Sequence, residues 1–190
     1  MKRKAGIIFI LILLTSNIMA TERQAYRVVH TEKEFEIRYY PSAVMATLHS
    51  KAQSYRELSV PGFRRLANYI FGGNESNTKI AMTSPVHMDI NDSLSSMSFV
   101  MPSSYEMEEL PAPKNPSVKL EKTTDEHVAV IRFGGYASDK RIQRYSAKLK
   151  RLLEEREIPY ERHFRYLGYN PPYQFFGRRN EIIVSVEWSE

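Results

Sequence analysis

His127–Val–Ala–Val–Ile–Arg–Phe133 runs into Gly134–Gly135, and beyond Ser138 the residues Ile142, Tyr145, Leu149, Leu152 and Leu153 recur at helical spacing. This stretch decides the fold. It reads as a strand stopped by paired glycines, a serine placed to cap, and a helix carrying one apolar stripe through about Glu157. Downstream lie a strand around Phe164–Gly168, a loop holding Pro171–Pro172, and a last strand over Glu181–Trp188. The first half has the same order. Phe35, Ile37 and Tyr39 alternate, as do Val44, Ala46 and Leu48 after Pro41, suggesting a second strand or the first continued past a bulge. Phe63, Leu66, Ala67 and Ile70 then mark one helix face, with Pro61 near its start and Gly72–Gly73 as its stop. Ile80, Met82, Val86, Met88 and Ile90 share one parity, broken by Pro85; after the turn Asn91–Asp92–Ser93, Met97, Phe99 and Met101 alternate again. Residues 102–118 hold four prolines and read as an irregular connection.

Each half is thus strand, helix, strand, strand, an internal structural duplication with little residue identity between halves. Long antiparallel pairings with two helices predict an α+β fold whose sheet closes or curls around a core. A ligand cleft is expected where the halves meet.

Length, 190 residues, sets one domain, and 42% apolar residues suffice for its core. There is no cysteine, which removes disulfides, thiolate metal sites and thiol catalysis. The formal charge of +5 invites a nucleic-acid reading, but its distribution argues otherwise. Lys2, Arg3 and Lys4 precede an apolar run from Ile7 to Leu14, with small Ala20 closing the segment. This is the layout of a signal peptide over residues 1–20, and an eight-residue run spans only roughly 12 Å of helix, too short for a bilayer. Residues 21–190 then form one exported domain, periplasmic or secreted, without a membrane span. Loss of three basic residues leaves 24 Lys and Arg against 22 Asp and Glu, so no electrostatic case for nucleic acid remains.

No nucleophile elbow, clustered metal ligands or phosphate loop is present, so neither a catalytic set nor a metal site is predicted. His87 and Asp89 share one strand face, for which a solvated face is preferred over a metal pair. Met82, Met88, Met97 and Met101, with Phe99, lie on one hairpin face. Each reads as core taken singly, and as a candidate wall for a large flat apolar ligand taken together.

Six segments in register resemble the SOUL haem-binding family: Phe63–Arg–Arg–Leu–Ala–Asn–Tyr–Ile–Phe–Gly–Gly–Asn74, Lys79–Ile–Ala–Met–Thr–Ser–Pro–Val86, Ser98–Phe–Val–Met–Pro–Ser103, Arg132–Phe–Gly–Gly–Tyr136, Leu167–Gly–Tyr–Asn–Pro–Pro172 and Arg178–Arg–Asn–Glu181. The resemblance runs from about residue 26 to 188. It implies two strand–helix–strand–strand units forming a distorted antiparallel barrel with two helices, similar to the bacterial effector-binding domain. It also implies a haem or another tetrapyrrole held non-covalently in an apolar cleft. In one branch an axial histidine follows Ile–Arg; here Ile37–Arg38–Tyr39 puts Tyr39 in that place. In another, haem sits in an apolar groove with basic groups of the first helix near its propionates. Asn68 occupies one such position, leaving Arg64 or Arg65 to serve. The candidate haem contacts are Tyr39, Arg64, Arg65, Met82, His87 and Met101. Two other readings of the scaffold stand beside haem binding: a module for another small apolar effector, and a hydrolase using Glu181 as general base.

Overall fold

The computed structural model describes residues 21–189, so the expected signal peptide lies outside the described residues. Thirteen elements follow in chain order: β1 (Glu22–Arg23), β2 (Arg27–Thr31), β3 (Glu36–Tyr40), β4 (Val44–Ser50), α1 (Tyr55–Ile70), β5 (Thr83–Ser84), β6 (Val86–Asp89), β7 (Ser95–Val100), β8 (Val118–Lys122), β9 (Glu126–Phe133), α2 (Asp139–Glu154), β10 (Arg165–Gly168) and β11 (Asn180–Ser185). Nine strands form one sheet in the order β2-β3-β9-β11-β10-β6-β7-β4-β8. Every pairing within it is antiparallel. In both halves the strand before the helix pairs with the last strand, which pairs with the middle one; β6 and β10 join the halves at the centre.

The sheet is open, not the distorted barrel of the sequence reading. Its ends are β2 and β8, two strands the alternation analysis did not single out. Both carry the marks of a protected edge. β8 presents Lys119, Glu121 and Lys122, and β2 is broken by a bulge between Val28 and His30.

Both helices cover one face, called inner here. Each begins at a serine whose hydroxyl accepts a backbone N–H, Ser54 from Glu57 and Ser138 from Arg141. α1 buries Leu58, Gly62, Leu66, Tyr69 and Ile70 against β7 and β4, while α2 buries Leu149, Leu152 and Leu153 against β9 and β11. The α1 stop is glycine chemistry: Gly72 sits at φ +108°, a conformation other residues avoid. Buried Asn74 then clasps the turn, donating to Tyr69 and Thr78 carbonyls and accepting from the Thr78 N–H.

Among the described residues, aromatic contacts fill the place where the halves meet at their helices. Tyr55 of α1 meets Tyr166 of β10 edge-on at 5.3 Å, Tyr166 meets Phe133, and Phe133 stacks on Tyr145 of α2 at 4.4 Å. Asp139 at the head of α2 accepts the Tyr55 N–H at 2.6 Å. The methionine face of the hairpin is core: Met88, Met97 and Met101 are buried, and only Met82 is half-exposed.

Candidate functional site

The six candidate haem contacts do not converge. Tyr39 lies on the inner face at the end of β3, its ring 5.3 Å from that of His127 and its hydroxyl donating to Asp125 at 3.3 Å. His87 points to the opposite face of β6, beside Leu167. Four strand spacings separate β3 from β6, roughly 19 Å, so the two cannot share one iron. Met101 is buried at the end of β7, and Met82 packs on the core before β5. Arg64 and Arg65 stand exposed on α1.

The His87 face is covered, which corrects the solvated strand expected there. The segment Glu22–Tyr26 straps across it. Glu22 and Arg23 pair in parallel with Thr83 and Ser84, the Gln24 N–H donates to the Ser84 carbonyl at 2.8 Å, and His87 Nε2–H donates to Gln24 Oε1 at 2.7 Å. Burial, aided by Arg165, pushes the His87 imidazole down to about 3, so it is neutral. Its Nε2 is occupied by Gln24.

The same outer face holds an ion cluster. Arg38 grips both oxygens of Glu181 at 3.0 and 3.2 Å, and Arg179 donates to Oε1 at 2.9 and 2.7 Å. Tyr169 donates to Oε2 at 2.7 Å. Tyr26 of the strap lies under the Arg38 guanidinium at 4.2 Å and accepts from Arg179. Burial raises the Glu181 pKa, but Arg38, Tyr169 and Arg179 outweigh it and hold the carboxyl below its ordinary value. Both carboxylate oxygens are committed and the anion is stabilised, the opposite of what a general base requires. Asn180 is equally committed, accepting from the Tyr166 hydroxyl and donating to Phe133 and Gly135 carbonyls. The Arg178–Glu181 segment is therefore an anchor.

One surface left unspent is the outward side of α1. Val60 and Phe71 are each 61% exposed and Phe63 is 39% exposed, its ring centroid 5.2 Å from that of Phe99. At about 100° per residue, Val60 and Arg64, with Phe71 at the C-cap, fall on the side away from Leu58, Gly62, Leu66, Tyr69 and Ile70, whereas Phe63 and Arg65 are turned to opposite flanks. Among the described residues neither arginine has an ion pair or hydrogen bond. The sequence reading placed Phe63 on the buried face and passed over Val60 and Phe71. Their signal was available: two apolar residues out of phase with the buried stripe.

Two cavities add little to this. One, of about 420 Å³, lies under the strap between Glu22, Val44, Met101 and Lys122. The other, of about 520 Å³, is walled by charged groups including Asp89, Asp125, Glu126 and Arg165, a poor match for an apolar macrocycle. Among the described residues no group of three or more His, Asp or Glu converges to hold a metal, and no helix is long and apolar enough to cross a membrane.

Comparison with known proteins follows the same outline. Residues 21–185 match the family model described as SOUL heme-binding protein. Heme-binding protein 1 of Xenopus laevis is 29% identical over 155 residues, covering 78% of this chain and 81% of the relative. Heme-binding protein 2 of Homo sapiens is 28% identical over 156 residues, covering 78% and 76%. Among solved structures, the EcmrR C-terminal domain superposes with a TM-score of 0.62 at 9% identity, over 86% of this chain and 99% of that one. A hydrolase from Listeria innocua gives 0.54 at 11% identity, over 89% and 94%. At such identities the two structures speak for the fold alone.

Proposed function

The chain belongs to the SOUL heme-binding protein family, and on that premise we propose that it binds haem non-covalently on the outward stripe of α1. The observation that carries this reading is an uncovered apolar surface, Val60 and Phe71 with Phe63 at its edge, beside an unpaired guanidinium, Arg64. Haem is amphipathic in the same way: two apolar faces and one edge bearing carboxylates. The phenyl rings of Phe63 and Phe71, spread along roughly 12 Å of helix, offer the face, and Arg64 offers a charge-assisted partner for a propionate.

α1 contains no His, Met or Cys, and its two tyrosines, Tyr55 and Tyr69, pack into the core. The stripe therefore contributes apolar contact and a salt bridge, and no iron ligand of its own. The test is a haemin titration of the chain from Thr21, which carries every core residue among those described, read by the Soret band. Saturable binding is expected, weakened by about tenfold or more in Val60→Ser/Phe71→Ser, two exposed positions whose loss leaves the core intact. Equal affinity in wild type and double variant overturns the site. Haemin dimethyl ester, lacking free carboxylates, should bind wild type and Arg64→Glu alike.

Export belongs to the same proposal. Its support is the basic triplet Lys2–Arg3–Lys4 ahead of the Ile7–Leu14 apolar run. Intact-mass measurement of the full chain after expression should find a product beginning near Thr21 in the extracytoplasmic fraction; a cytoplasmic product retaining Met1–Ala20 would reject it.

A further inference from the structure

The β10–β11 loop is built inside out. Tyr169–Asn–Pro–Pro–Tyr–Gln–Phe–Phe–Gly–Arg–Arg179 leaves and re-enters the sheet at neighbouring points, closed by Tyr169 N–H donating to the Arg179 carbonyl. Its polar groups turn inward. Arg178 donates to the carbonyls of Pro171 at 2.7 Å, Gln174 at 2.8 Å and Asn170 at 3.3 Å, while Asn170 Oδ1 accepts the Arg179 N–H at 2.6 Å. Gln174 binds Asn170 and the Phe176 carbonyl. The apolar groups turn outward: Tyr173 is 78% exposed, Phe175 72% and Phe176 89%. A loop shaped only for stability would reverse this arrangement, since each ring left in water forfeits its burial.

Beside the loop stands Tyr136, stacked under the Arg178 guanidinium at 4.4 Å and donating to the Pro172 carbonyl. Tyr136 leads directly into α2, whose first turn carries Lys140 and Arg141, the latter held by the Gly134 carbonyl at 2.6 Å. No acidic residue occurs from Tyr169 to Asn180 or from Arg132 to Ser138. The two acids that bound these segments are spent elsewhere, Asp139 on the Tyr55 N–H and Glu181 in the ion cluster.

We infer that this loop is a docking surface for an anionic lipid bilayer, with the three rings entering the interfacial layer and Lys140 and Arg141 meeting headgroups, while Arg178 braces the loop from within. Exposed rings on a cross-braced loop with cations on the adjoining helix turn suit the two layers of such a surface, acyl boundary and phosphate. A protein partner is the weaker fit: a stable interface needs about 800 Å² from each side, more than three rings on a convex tip provide. A bilayer, by contrast, deforms around a convex tip.

The experiment is co-sedimentation of the chain from Thr21 with vesicles of equimolar phosphatidylglycerol and phosphatidylcholine, and with phosphatidylcholine alone. Binding to the anionic vesicles is expected, reduced on neutral ones and at high salt. Phe175→Ser/Phe176→Ser should lower partitioning by about tenfold or more, and Tyr173→Ser by less. Haemin affinity should be unchanged in these variants, so failure here is separable from failure of the α1 site. The inference is overturned if wild type stays in the supernatant with anionic vesicles, or if the double variant sediments like wild type. It is equally overturned if the double variant only abolishes a wild-type dimer, which would assign the rings to a second copy of the chain.

Discussion

α1 and α2 are matched in almost everything that concerns folding. Each has 16 residues, starts at a serine cap and lies on the inner face of the same sheet. They differ on the side turned away from the sheet. There α2 is saturated with charge: Lys148 pairs with Glu34, Lys150 with Glu154 at 3.7 Å and Arg151 with Glu155 at 3.5 Å. α1 instead shows Val60, Phe63 and Phe71 beside an unpaired Arg64. The buried faces answer to the core and converge on one solution. The outward faces are free of that demand, so what they carry is informative about partners.

If the inward faces are equivalent, truncating either should cost alike. Leu66→Ala and Leu149→Ala, both fully buried, are each expected to destabilise by about 2–5 kcal/mol in urea unfolding. A value under about 1 kcal/mol for one of them would break the equivalence.

The outer face of the sheet gives the next largest effect, and it involves neither helix. The folded His87 pKa, about 3, lies below the ordinary imidazole value. Between about pH 3 and 6.5 the unfolded chain therefore binds the extra proton, and stability must rise with pH through that window. From pH 5 to 7 this one group is expected to contribute about 2 kcal/mol of pH dependence. His87→Gln should flatten that part of the profile, with haemin affinity unaltered. An unchanged slope in the variant would mean His87 is not buried as described.

The outward faces separate in the ligand experiment. Arg64→Glu should weaken haemin several-fold, Arg65→Glu less because it is turned to the flank, and Arg151→Glu on α2 not at all. Equal effects from all three would reduce the contrast to net charge. The smallest effect is on α2 itself: Lys150→Ala should cost only about 0.3–0.5 kcal/mol, measured by urea unfolding in low salt.

Period and punctuation carried most of the fold into the sequence. Gly72–Gly73 and Gly134–Gly135 ended elements where expected, and Ser138 capped α2. β8 was hidden because its alternation, Val118 and Leu120 against Lys119 and Glu121, lasts only a few residues at the tail of a proline-rich connection. Barrel closure was not legible either, since whether two edges meet depends on the accumulated twist of nine strands. For the site, sequence could mark residue types but not sidedness. Tyr39 and His87 were both candidate haem contacts by residue type, and strand parity with sheet order puts them on opposite faces. Glu181 looked like a spare buried acid because Arg38 is 143 positions away.

The strap at the start of the described chain has a consequence for the order of assembly. The Tyr26 hydroxyl meets Arg179, 153 residues later, and Gln24 meets His87, 63 residues later. In a chain made or threaded from its N-terminus, the strap emerges before Arg179 and His87 exist for it to hold. They wait, and the strap is among the last segments to find its place.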